Sequence, residues 1–166
     1  MLKTCTRGVA AAIALLAVTA PASAATVSGS LPVSATVTAN CTLSTSALAF
    51  GSVNTISGSN VDGTGGLTIT CTNGTAWAAS AGIGAGTGAS FTSRRMTAGA
   101  NLLNYNLYTS NAYSTVWGDG TSSTATIGGT GSGGAQSVTV YGRVASGQTS
   151  VPAGSYADTV AITVTY

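Results

Sequence analysis

The chain has no histidine and no glutamate, and only five Lys and Arg stand against three Asp. Without an imidazole, neither a Ser-His-Asp nor a Cys-His catalytic arrangement can be built. Three scattered aspartates do not suggest the paired carboxylates of a glycosidase. Asp119, in Trp117-Gly118-Asp119-Gly120, falls far short of the roughly six to eight oxygens that calcium takes, and Asp-Gly reads as a turn. No basic patch or acidic tail is present, which argues against a nucleic-acid partner. Beyond the N-terminus no apolar run is long enough to cross a bilayer, so no membrane anchor is expected. Gly84-Ala85-Gly86-Thr87-Gly88 loosely matches a dinucleotide fingerprint, but no helical period follows it and it reads as a loop. The sequence therefore points to a non-enzymatic protein with no cofactor and no metal.

What is present begins with an export signal. Lys3 and Arg7 precede the apolar run Val9 to Val18, and Pro21-Ala22-Ser23-Ala24 supplies small residues for cleavage, so residues 1–24 read as a signal peptide. Its removal leaves Arg94, Arg95 and Arg143 against Asp62, Asp119 and Asp158, a mature chain without formal net charge. Ser, Thr, Gly and Ala dominate the remainder. Such a surface suits extracellular fibres and coats, and its weak charge repulsion leaves association unopposed.

Directly behind the expected cleavage site, Val27, Gly29, Leu31, Val33, Ala35, Val37 and Ala39 alternate with Ser28, Ser30, Pro32, Ser34, Thr36 and Thr38. Period 2 gives an extended segment one apolar and one polar face. An exposed strand of this kind docks by adding itself to a sheet edge. The same pattern also fits an ordinary first strand of a complete sandwich. Pro32 lies inside it and cannot donate to a ladder.

After the signal two cysteines remain, Cys41 and Cys71, and an oxidising compartment predicts a bond between them. Closing a loop of about 30 residues contributes roughly 3–4 kcal/mol in the chain-entropy view. A metal site would need ligands that the sequence lacks. Strand and turn then follow to the last residue. Leu67, Ile69 and Cys71 alternate up to Asn73-Gly74, a hairpin signal. Trp77, Ala79, Ala81 and Ile83 alternate next, then Leu103, Tyr105 and Leu107, then Val138, Val140, Gly142 and Val144. Val160, Ile162, Val164 and Tyr166 form a final strand. Residues 54–65 read as turn-rich, and 127–134 as a flexible glycine-rich tip. Trp77 and Trp117 read as core, and Arg94-Arg95 as one packed and one exposed arginine. No helical period appears after the signal. The expected fold is all-β, an antiparallel β-sandwich.

Several stretches together resemble the spore coat protein U domain family, which includes the pilus subunits of the archaic, Csu-type chaperone–usher class. They are Cys41, Leu48-Ala49-Phe50-Gly51, the run Gly66 to Gly74, Arg94-Arg95-Met96, Leu103 to Tyr108, Trp117 to Gly120, Val140 to Val144 and Pro152 to Val160. The resemblance implies an immunoglobulin-like sandwich that lacks its last strand, occupying residues 40–166 behind an N-terminal donor strand at 25–39. It implies a groove filled first by a periplasmic chaperone and then, at an outer-membrane usher, by the donor strand of an identical or related subunit. Val27, Gly29, Leu31, Val33, Ala35 and Val37 would face that groove, and Cys41 and Cys71 would form the family disulfide. Val160, Ile162, Val164 and Tyr166 would border the groove. The implied function is a surface pilus subunit, secreted through the periplasm and supporting adhesion and biofilm formation. The alternative is a non-polymeric secreted coat or matrix protein whose N-terminal strand completes its own fold.

Overall fold

Period-2 alternation places the core. In strand β2 (Val61–Cys71) the side chains of Leu67, Ile69 and Cys71 are buried while Thr68 and Thr70 remain partly exposed. Strand β3 (Ala76–Ala81) buries Trp77, Ala79 and Ala81, and β5 (Asn101–Tyr108) buries Leu103, Tyr105 and Leu107. Apolar faces of this kind are stable only against one another. The computed structural model describes residues 21–166, and the signal-peptide expectation falls mainly on residues 1–20, outside them.

The chain divides into two units, residues 1–35 and 36–166. In the first, the described residues carry no helix or strand and are exposed. The second is the expected antiparallel sandwich. One sheet has five strands in the order β1-β2-β7-β5-β4, with β1 at Cys41–Ser46, β4 at Arg94–Ala98 and β7 at Ala135–Val144. The other has three in the order β6-β3-β8, with β6 at Ile127–Thr130 and β8 at Ile162–Thr165. Both sheets contribute to one core, with Leu67, Ile69, Leu107 and Val140 from the first and Trp77, Ala79 and Ala81 from the second. The described residues form no helix.

Four expectations need correction. Asn73-Gly74 does not close a hairpin, because β2 and β3 belong to different sheets. The dipeptide still makes a tight turn, with Gly74 at φ 80° and Thr75 N donating to Thr72 O at 3.0 Å. Which sheet takes the next strand is decided by where Trp77, Ala79 and Ala81 find burial. Residues 61–65 are not turn but the start of β2, whose glycines serve a packing role described below. The glycine-rich tip contains β6, which pairs with β3 from Ala76↔Thr130 to Ala79↔Ile127. Glycine is required there, since a Cβ at Gly129 would lie 2.5 Å from Trp77 Cζ2. The last strand stops short of both ends expected for it, because its pairing with β3 runs only from Ala81↔Ile162 to Ala78↔Thr165. Val160 precedes it and Tyr166 follows it.

Arg94 is fully buried and holds four segments together. Its Nε donates to Gly82 O at 2.9 Å, Nη1 to Asn106 Oδ1 at 2.6 Å, and Nη2 to Trp117 O at 2.7 Å and Ala81 O at 3.4 Å. Arg95 is only partly buried. A buried cation is tolerated where each N–H finds an acceptor. Burial nevertheless draws its pKa below the ordinary arginine value.

Candidate functional site: an apolar groove

β8 pairs with β3 along one edge and, among the described residues, with nothing along the other. Beside that free edge the sandwich opens into a cavity of about 1350 Å³. Its floor carries Leu67, Leu103, Leu107, Trp117 and Val140, all from the core. Its two walls are the segments 45–56 and 151–162.

The first wall explains the glycines in β2 and β7. Gly63 and Gly142 are cross-strand partners, and Gly65 lies two residues further along the same face. A Cβ at Gly63 would stand 2.8 Å from Ala49 O, one at Gly65 2.9 Å from Leu48 Cβ, and one at Gly142 2.8 Å from Leu48 Cδ1. These glycines form a trough that lets residues 47–50 lie directly on the sheet. Phe50 packs edge-on against Tyr105, with ring centroids 5.9 Å apart. Gly51, at φ 65°, then turns the chain in a region that other residues rarely adopt.

The second wall connects the sheets. Ala157 bridges Thr97 of β4, with Thr97 N donating to Ala157 O at 2.8 Å and Ala157 N donating back at 3.1 Å. Ala161 O then accepts from Gly82 N at 2.9 Å, just before β8 begins. Between these ties sits Asp158, which accepts from the Tyr105 hydroxyl at 2.7 Å. Burial, reinforced by this bond, pushes the Tyr105 hydroxyl far above the ordinary tyrosine range.

The segment singled out for its alternation is solvent-exposed. Val27 is 99% accessible, Leu31 and Val33 86% each and Val37 84%, and Gly29 and Ala35 are exposed as well. Extended backbone becomes a strand only with a partner edge, and residues 21–40 carry no strand, although Asn40 O, next to β1, already accepts from Thr72 N at 2.9 Å. Cys41 and Cys71 are disulfide-bonded and stand opposite each other where β1 pairs with β2. Val160 and Ile162 line the groove, whereas Val164 and Tyr166 lie beyond the lining.

The three carboxylates have structural tasks. Asp62 forms a bidentate pair with Arg143, at 2.6 and 2.8 Å, whose guanidinium lies 3.6 Å from the Tyr113 ring centroid. The hydrogen bond to Arg143 holds the Asp62 carboxyl below its ordinary value. Asp119 accepts from Thr121 N and Oγ1 at 2.9 and 2.7 Å in an Asx-type turn, and the Thr121 hydrogen bonds likewise lower its pKa. Asp158 belongs to the groove wall. Among the described residues no cluster of His, Cys, Asp or Glu fits a metal ion. Sequence reading missed the glycine trough and the Asp158–Tyr105 contact. The one available signal was Gly63-x-Gly65 continuing in phase with Leu67 and Ile69.

No curated protein matches the sequence. In fold, the chain is similar to a chain of the crystal structure of the CsuC–CsuE chaperone–tip adhesion subunit pre-assembly complex from archaic chaperone–usher Csu pili of Acinetobacter baumannii. The TM-score is 0.56 at 20% identity, over 79% of this chain and 40% of that one, so this protein spans less than half of that chain's length. Residues 27–163 match the Spore Coat Protein U domain. The match runs through both groove walls and all eight strands apart from the last residues of β8, and the protein belongs to the Spore Coat Protein U domain family.

Proposed function

We propose that the protein is a structural subunit of a surface pilus, assembled along a chaperone–usher route by donor-strand exchange and supporting adhesion and biofilm formation. One observation carries this reading. A single chain has both an apolar groove beside a strand edge that is unpaired among the described residues and an exposed segment whose apolar residues recur at period 2. Residues 25–39 of one copy supply the strand that the groove of the next copy lacks. Val27, Leu31, Val33 and Val37 are its largest plugs, and Gly29 and Ala35 fall between them.

Burying those four side chains contributes on the order of 6–10 kcal/mol as an upper estimate. Ordering a free tail opposes this by about 1–2 kcal/mol per residue. Main-chain pairing with the free edge of β8 must therefore contribute, and the joint holds through slow dissociation more than through extreme affinity. Pro32 fits if its nitrogen faces away from β8. Before assembly a periplasmic chaperone covers the same groove, and an outer-membrane usher is the place of exchange. The Cys41–Cys71 bond suits that oxidising compartment. Leu31→Asp and Val33→Asp each place a charge in the groove and should abolish fibres while leaving the chaperone complex intact. Normal piliation of both variants would overturn the reading.

A further inference from the structure

We infer that Asp158 is the positioning residue of the groove. It fixes the wall along which an incoming strand pairs, and it does so through hydrogen-bond geometry. This rests on the donor-strand reading above.

Asp158 lies at the point where the chain crosses from one sheet to the other, between Ala157 on the β4 edge and Ala161 beside β3. Both carboxylate oxygens are in use. Oδ2 accepts from the Tyr105 hydroxyl in the groove floor, at 2.7 Å. Oδ1 accepts from Ala85 N and from Thr159 N, each at 2.7 Å. One side chain thus binds a β5 residue, the loop after β3 and the lead-in to β8. The loop is shaped around it, since a Cβ at Gly84 would collide with Oδ2 and Gly84 itself takes φ 90°. Among the described residues the wall residues Thr159 and Val160 make no main-chain hydrogen bond to a neighbouring strand, so between the ties at Ala157 and Ala161 the side chain of Asp158 supplies the hydrogen bonds that fix this stretch of backbone. An incoming strand must find that backbone already in register. Removing the clamp lowers the fraction of subunits ready to receive it, and a smaller competent fraction lowers the apparent association in proportion.

The test uses the full chain and a synthetic peptide of residues 25–40, with association and dissociation followed separately. Asp158→Ala should associate at least about tenfold more slowly, on the scale of hydrogen bonds to a charged group, with dissociation far less affected. Asp158→Asn keeps an acceptor for the two amides and a donor for the Tyr105 oxygen, so it should associate within about twofold of wild type. Asp62→Asn, which breaks the exposed ion pair with Arg143, controls for the loss of a carboxylate elsewhere and should also associate normally, while urea unfolding of each variant reports general destabilisation separately. Normal association of Asp158→Ala would overturn the inference, as would slowing of Asp62→Asn to the same extent. If Asp158→Asn proved as slow as Asp158→Ala, the residue would act through its charge, and positioning by geometry would be refuted. Failure of the wild-type chain to take up the peptide would overturn the donor-strand reading and the role of Asp158 with it.

Discussion

Replacing Arg94 should be among the most damaging single changes in the domain. The side chain is fully buried, and its N–H groups satisfy the carbonyls of Gly82, Ala81 and Trp117 together with Asn106 Oδ1. Among the described residues no carboxylate lies within ion-pair distance of it. This matters for the sign of the effect. A buried ion pair exchanged whole for apolar residues can be neutral or stabilising. Here the partners are mostly main-chain carbonyls, which stay behind whatever replaces the arginine. Leaving them unpaired costs about 1–3 kcal/mol for each one that water cannot reach. Arg94→Met keeps the aliphatic stem and should lose about 3–4 kcal/mol. Arg94→Ala also forfeits the packing of that stem, at about 0.8 kcal/mol per methylene, and should lose about 4–6 kcal/mol. Against a typical domain stability of about 5–15 kcal/mol, the second loss approaches unfolding. Urea unfolding of the oxidised protein, followed by tryptophan fluorescence, measures both, since Trp117 is itself one of the tied residues. If both variants fell within about 1 kcal/mol of wild type, the buried guanidinium would not be the tie described.

Cys41→Ser should lower the periplasmic yield, through a loss of about 2–5 kcal/mol on removing the Cys41–Cys71 crosslink. Two free thiols in a mass spectrum of the native protein would contradict it. The Asp62–Arg143 pair should make a small, pH-dependent contribution of at most about 1 kcal/mol, because both side chains are partly solvent-exposed and screened. The folded-state pKa of Asp62 lies below 3.8, so this contribution is present above that pH and is lost as pH falls through the folded value. Asp62→Asn should remove that part of the acid sensitivity, and a carboxyl titration by NMR with a midpoint above 3.8 would refute it.

Alternation made most of the sandwich legible in advance. Leu67, Ile69 and Cys71, the Leu103 to Leu107 set, and Val138 to Val144 lie in strands as their period indicated. What stayed hidden was set by contacts between distant segments. Glycines at 63 and 65 read as turn because glycine is a poor strand former. Their reason lies in Leu48 and Ala49, which press on the sheet where any Cβ would intrude. Gly128 and Gly129 misled in the same way, with the Trp77 ring and backbone as the cause. Asn73-Gly74 specified a turn but could not specify which sheet would receive the next strand. The division of Arg94 and Arg95 into a buried and a partly exposed residue was anticipated as a pattern, but the acceptors were not. The apolar face of residues 27–37 was plain from sequence alone, and the resemblance implied a groove, but its floor and its walls at 45–56 and 151–162 depend on long-range packing and became legible only in the structure.

The most direct measurement compares unboiled with boiled protein from the cell surface on a denaturing gel. Strand-exchanged polymer should run as a ladder of multimers that collapses to monomer on boiling, because the joints dissociate slowly without heat. Monomer in both lanes would contradict donor-strand assembly and would leave a protein whose N-terminal segment completes its own fold, or a coat protein held by weaker contacts.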